Sequence, residues 1–395
     1  MIFKTQKMKK LFLILLLLNC IKLFSQEKVI SKIIIDKETK TPIKDASIND
    51  GFNYTISNAD GFFTLITQKD SIKINLLGYE PFYKRINQVS SNDTILLSPN
   101  IISLDEVILE NNNKIINDIF KEITNITPNS LYLEKFFLRT TLKKNDSIVK
   151  FQDIIGISER KKTFTDKKEA KKNLKIQFLN MRKAGILAKS RKVEDFKFFT
   201  SSELFFKMTS IYANPNIHFF ENRGYVGNDL QKIYFEPKKP YNNNSFTGYY
   251  VFNTKEKNIL EANLKNTLKT EYIKKRGFKW RTIDNLLNVK FIYNNRDEKY
   301  HISNATISYK VEVITPKQIK NIYKIEYKYF TSEYNLEKIE KNINSNKSIF
   351  SINMDYDELF WKNQNHLILD NNLKSFIEKM NNLDEKNKII TNIKN

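Results

Sequence analysis

Between residues 27 and 99 apolar side chains recur at every second position, in short runs broken by Gly, Pro, Asn and Asp. The runs are VISKIII, DASI, FNYTI, GFFTLIT, SIKINLL, FYKRI and DTILLS. Period two is the repeat of a strand with one buried and one wet face. In GFFTLIT it sets Phe62, Thr64 and Ile66 against Phe63 and Leu65. In SIKINLL it sets Ile72, Ile74 and Leu76 against Lys73 and Asn75. Gly61, directly after Asp60, suits a tight turn that needs positive φ. Gly78-Tyr79 turns the chain again, and the Tyr79 ring is expected to close one end of the core. Short strands about 8–12 residues apart, with turn residues between them, predict an all-β sandwich.

The rhythm changes after residue 111. In NNNKIINDIFKEITNITPN, Ile115, Ile116, Ile119, Phe120 and Ile123 fall at steps of three and four, the repeat of a helix. Asn111 to Asn113 offer a cap and Pro128 a stop. LYLEKFFLRTT (131–141) returns to strand character. KIYF, GYYVFN, NILEANL, VKFIYN, YHISNATISYKVEVI and IYKIEYKYF follow, rich in Tyr, Phe, Ile and Val. They predict one large, curved antiparallel sheet. Residues 160–192 interrupt with 13 basic and two acidic side chains and an imperfect helical spacing of Ile176, Leu179 and Met181. Leu373, Phe376, Ile377 and Met380 predict a short helix, and the tail DEKNKIITNIKN is expected to fray. The expected fold class is mainly β with an α+β second part: an N-terminal β-sandwich, then an extended antiparallel sheet domain with a few helices.

The start of the chain carries a different signal. Lys4, Lys7, Lys9 and Lys10 precede the apolar run Leu11 to Leu18, and small Ser25 precedes Gln26. This is the layout of an export signal, too short for a membrane span of roughly 18–20 apolar residues. Cys20 offers lipidation as a second option, although Asn19 is a poor substitute for the small residue usual before a lipidated cysteine. The expected division is a signal peptide over 1–25, a sandwich over 26–100 and a linker over 101–111. An α+β domain over 112–385 and a tail over 386–395 complete it. Cleavage after Ser25 leaves a mature chain without cysteine, which suits an exported protein that needs no disulfide.

Export changes the meaning of the charge. The net charge of +22 is not evenly spread. Residues 26–99 carry nine basic and nine acidic side chains, whereas the chain from 100 onward carries 52 and 35. An anionic envelope surface or an envelope protein is then the expected partner, centred on Arg160–Lys192. Nucleic acid is not expected outside the cytoplasm.

DKETKTPIKDASI, SNADGFFTL, INLLGYEPF, a strand ending LLSPN, and LDEVIL occur in that order over residues 27–108. Together they resemble the carboxypeptidase-regulatory-like domain of exported Bacteroidetes proteins, the module that precedes the plug of many TonB-dependent receptors. The resemblance implies a transthyretin-like sandwich and no peptidase activity of its own. It places the chain in the periplasm or at the outer membrane. Too few residues follow for a large barrel of strands of about 9–11 residues each. The Phe-Phe-x-Arg strand after the helix, and KIYFEPKKPYNNNSFTGYYVFNTKEKNILEANLK (232–265), resemble more weakly a group of Bacteroidetes proteins that carry this module.

Candidate chemistry is sparse. His218 and Glu221 stand at His-x-x-Glu spacing, as two zinc ligands of carboxypeptidases do, with His301 or His366 as a third. In a strand, however, His218 and Glu221 point to opposite faces. No Gly-x-Ser-x-Gly, phosphate loop or dinucleotide fingerprint occurs. Asp355/Asp357 and Asp384/Glu385 read as solvated pairs. The sequence therefore points to a non-enzymatic interaction module, with no catalytic, cofactor or metal residue assigned and no cofactor expected. A zinc metallopeptidase-like hydrolase and a carrier of a lipid or other apolar ligand remain the alternatives.

Overall fold

The computed structural model describes residues 27–76, 78–89, 93–100, 112–186, 196–225, 230–239, 246–266, 270–334, 339–382 and 389–393. The expected signal peptide with Cys20, the linker 101–111 with LDEVIL, the end of the basic stretch and Asp384/Glu385 lie outside them. The fold is mainly β with a few helices.

Seven strands build the N-terminal unit: β1 (Lys28–Asp36), β2 (Ser47–Asn49), β3 (Tyr54–Ile56), β4 (Phe62–Thr67), β5 (Ser71–Asn75), β6 (Phe82–Arg85) and β7 (Thr94–Leu97). One sheet has the order β4-β1-β7, the other β3-β2-β5-β6. Their facing apolar positions, among them Ile34, Ile48, Phe63, Leu65, Ile72 and Ile74, share one core. Phe63 and Leu65 point inward while Phe62 is exposed, as the alternation requires. Gly61 has φ +77, and a Cβ there would stand 2.5 Å from the Ile34 carbonyl oxygen. Tyr79 packs on this core, and its hydroxyl donates to Asp36 at 2.7 Å.

The second unit is one 12-stranded sheet. Its strands are β8 (Tyr132–Lys144), β9 (Ser147–Arg160), β10 (Lys175–Ile186), β11 (His218–Tyr225), β12 (Leu230–Pro237), β13 (Thr247–Asn253), β14 (Asn258–Asn266), β15 (Ile273–Lys275), β16 (Phe278–Asn294), β17 (Lys299–Ile314), β18 (Lys320–Tyr334) and β19 (Ile389–Thr391). The order is β11-β12-β13-β14-β16-β17-β18-β8-β9-β10-β19, with β15 beside β16. The helices are α1 (Asn112–Ile126), α2 (Lys167–Asn173), α3 (Ser201–Met208), α4 (Glu358–Lys362) and α5 (Asn371–Asn381).

The two faces of this sheet differ. One bears the main core, where Phe136 and Tyr329 pack against Phe205 of α3 and Tyr250 packs against Phe120 of α1. The other carries polar residues in register. Asn263, Asn288, Thr306, Lys328, Arg139, Asp153 and Arg182 stand side by side across adjacent strands. Next to this row Phe330, Phe137 and Ile155 form an apolar patch, and Ile56, Trp361 and Leu367 cover it. The sandwich docks there. Lys328 pairs with Asp45, Tyr54 meets Tyr334 edge to face, and the Ile66 amide donates to Asn365 at 2.7 Å.

Asp153 is fully buried between two arginines. Arg139 grips it with two bonds of 2.8 Å, and Arg182 adds bonds of 3.0 and 2.8 Å. Arg139 also donates to the carbonyls of Leu367 and Ile368, at 2.7 and 3.0 Å. Arg182 lies 4.4 Å from the Trp361 ring. The ion cluster thus holds residues 361–368 against the sheet.

Two expectations need correction. The stretch Arg160–Lys192 is not an interruption of the sheet or a uniform surface. Through residue 186 it is the end of β9, α2 and the core strand β10, in which Arg182 and Lys183 are buried. Lys183 donates to the carbonyls of Phe350 and Ile352 and to Asn353, and burial lowers its pKa to about 8. The tail, expected to fray, instead adds β19 to the edge of β10. The Asn392 side chain bonds the Lys183 amide and the carbonyls of Met181 and Met354.

Replacing Asp153 with Asn leaves two buried guanidinium groups without a counter-ion. Chemical denaturation should show a loss of about 3–5 kcal/mol. A loss under 1 kcal/mol would contradict the arrangement. His366 tests the same region through pH. Burial and then the nearby Arg182 lower its pKa from 6.5 to about 4. The unfolded chain therefore binds the proton first, and stability should fall as pH drops from 6.5 to 4, by about 3 kcal/mol at pH 4. His366→Gln should remove that part of the pH dependence.

Candidate functional site

On the face of the sheet opposite the sandwich, the turn and helix after β9 gather cations around a cavity of about 290 Å³. Asn129, Arg160, Lys161, Lys162, Thr165, Glu169 and Asn173 line it, with Phe205 of α3 as part of its wall. α2 forms locally. The Asp166 side chain caps it by accepting from the Glu169 amide at 2.8 Å. Glu169 occupies its first turn and Lys171 and Lys172 its last, in the sense that the helix dipole favours. Ala170 and Leu174 anchor it to the core.

Arg160 sits at the base of this site, only 6% exposed. Its guanidinium lies between the rings of Tyr132 and Phe205, at 5.1 and 4.7 Å, and bonds Glu134. Glu134 also accepts from Ser158 and Tyr329, at 3.3 and 2.8 Å. Burial opposes the charge of Arg160, but the Glu134 carboxylate outweighs it and keeps the pKa above the ordinary value. The Arg160 Nε has no hydrogen-bond partner among the described residues.

The rim is more open. Lys162 pairs with Glu169 at 2.9 Å and Lys175 with Glu159 at 2.7 Å. Lys161, Lys167, Lys168, Lys171 and Lys172 are exposed and make no ion pair among the described residues. The arrangement is a shallow, donor-rich cavity fringed by unspent positive charge. It can attract and hold an anion. Only part of it was legible in the sequence, where all thirteen basic residues of 160–192 looked alike. The ones that bond Glu134, Asp153 and the Phe350 carbonyl belong to the interior.

The histidines are not brought together. His218 on β11 is buried. Its Nδ1 contacts the Asn214 carbonyl at 3.0 Å, and its Nε2 accepts from the Phe246 amide at 3.3 Å. Both ring nitrogens are thus engaged. His301 on β17 contacts Asp297 at 2.7 Å. His366 stands between Phe137 and Trp361 and contacts the Gln364 carbonyl at 2.8 Å. Among the described residues no three His, Cys, Asp or Glu side chains converge as a metal site would need. Asp357 caps α4. In the large core the gap beside Phe136, Phe178 and Leu204 measures about 10 Å³. That is room for about one water at most. Among the described residues no helix is long and apolar enough to cross a membrane.

No family model matches the chain, and no curated protein matches it. Among solved structures it is similar to a protein of unknown function from Bacteroides fragilis, at 9% identity over 78% of this chain and 98% of that one. The TM-score is 0.15, too low to carry an argument.

The two engaged nitrogens of His218 and the separation of the three histidines lead to a direct expectation. Zinc at about a hundred times a site's Kd stabilises a protein that holds it by about 2.7 kcal/mol. Micromolar zinc should leave the melting temperature of this protein unchanged. A rise that His218→Ala abolishes would restore the metal site.

Proposed function

We propose that this chain is an exported, non-catalytic protein of the cell envelope that engages an anionic partner through the lysine face of α2. The observation that carries the reading is the set of exposed lysines on the turn and helix above Arg160: Lys161, which lines the cavity, and Lys167, Lys168, Lys171 and Lys172, none of them ion-paired among the described residues. Each cation near an anionic bilayer adds up to roughly 1 kcal/mol, so a handful suffices for reversible attachment. The export signal at 1–25 and the ordered motifs at 27–108 support the envelope location. They also support a carboxypeptidase-regulatory-like sandwich, in which case the N-terminal unit is a scaffold without peptidase chemistry. Attachment would use the face opposite the sandwich, leaving the polar face of the large sheet free.

Vesicle sedimentation tests the reading. The mature chain should pellet with phosphatidylglycerol vesicles and stay in solution with phosphatidylcholine vesicles. Raising the ionic strength from about 0.1 M to about 1 M shortens the screening length from about 10 Å to about 3 Å and should release it. The triple variant Lys167→Glu, Lys168→Glu, Lys171→Glu should lose vesicle binding with its melting temperature unchanged. Equal binding to both vesicle types, or binding that the triple variant retains, would overturn the proposal.

A further inference from the structure

Beside the docked sandwich a cleft of about 590 Å³ opens between the two units. One wall is the turn between β2 and β3. Asp50 stiffens it by accepting from the amides of Phe52 and Asn53, at 2.7 and 2.6 Å, and from the Asn53 side chain at 3.0 Å. The other wall is the turn between β16 and β17, where Asn294 accepts from the Arg296 amide at 3.1 Å. Tyr54 and Tyr334 meet across the floor with ring centroids 6.0 Å apart. The size falls within the range of small-ligand sites, and both walls are held in place before any ligand arrives.

The lining is unusual for its amides. Asn49, Asn53, Asn75, Asn294 and Asn295 all border the cleft. Asn49 is only 5% exposed, and its Nδ2 has no hydrogen-bond partner among the described residues. The Nδ2 of Asn294 is in the same state. A buried donor without a partner is costly, and two beside one cleft point to a ligand or water that supplies acceptors. Aromatic surface is also present. The Phe52 ring is already taken by Lys69 and Arg296, at 4.1 and 4.8 Å. Tyr293 packs on Tyr300 on one side, with ring centroids 5.1 Å apart, and is 42% exposed. The charged residues Lys73, Arg296 and Glu333 leave little net charge.

These features select a ligand chemistry. An amide side chain offers a donor and an acceptor together, which matches hydroxyl groups better than it matches anions or hydrocarbon. An exposed ring matches a ligand with an apolar face. Hydroxyl edges around an apolar face are the surface of a pyranose ring. We propose that this cleft is a binding site for neutral hexopyranose chains. Tyr293 stacks on a sugar ring, and the amides of Asn49 and Asn294 donate to its hydroxyls after a small rotation. The site is on the opposite side of the large sheet from the lysine face, so it stands or falls independently of membrane attachment.

Saturation-transfer NMR on the full mature chain provides the test, with cellohexaose, maltohexaose and chitohexaose as probes. At least one should receive saturation at its ring protons. Its affinity should weaken about fivefold in Tyr293→Ala, the equivalent of about 1 kcal/mol. Asn294→Ala, a change at the end of β16, should weaken it as well, and the melting temperatures of both variants should match the parent. The triple lysine variant of α2 should bind as the parent does. No transfer to any of the three chains, or transfer that neither cleft variant alters, would overturn the assignment.

Discussion

The arrangement depends on one buried carboxylate. Asp153 draws Arg139 and Arg182 to itself on β8, β9 and β10, towards one edge of the large sheet, and Arg139 also donates to the carbonyls of Leu367 and Ile368. That fixes a segment with little regular structure against the polar face. The same segment carries the sandwich. The His366 carbonyl accepts from Thr55, Asn365 bonds both backbone groups of Ile66, and the Asn371 amide donates to Asp60. Buried ion pairs are seldom a net gain over apolar packing, because desolvation cancels much of the attraction. Their value here is geometric, since the charge fixes where a loop crosses a sheet.

From that placement follows a division of labour between faces. Where Phe137 and Phe330 meet Ile56, the sandwich closes the polar face. It cannot close the rest, because the amides, lysines and hydroxyls in register on either side need water or a ligand. Clefts therefore flank the dock. The opposite face is filled by helices and aromatic side chains, and its lysine cluster lies on the turn and helix above Arg160. The proposed attachment and the proposed sugar site use surfaces that do not compete.

Local periodicity made much of this legible. The inward set Phe63 and Leu65, the short helix through Leu373 and Met380, and strands such as β8, β13, β14, β17 and β18 could each be read from neighbouring residues alone. Pairing between distant residues could not. Arg160, Arg182 and Lys183 looked like surface charge because Glu134, Asp153 and the Phe350 carbonyl lie far away in the sequence. β19 is three residues long and is secured by Asn392, whose partners Met181, Lys183 and Met354 are equally remote. The cleft at Asn49 and Asn294 joins turns that share no motif, in a chain where asparagine is common everywhere.

Hydrogen exchange at the Ile66 amide tests the central linkage most directly, because that amide donates only across the dock, to Asn365. In the parent it should be protected together with the Asn371 amide, which donates to Asp60 across the same dock. Arg139→Met should remove the protection of both, while the amide of Ile34, which donates to Gly61 within the sandwich, keeps its own. If Ile66 stays protected in Arg139→Met, the ion cluster does not hold the sandwich, and the dock rests on the aromatic patch alone.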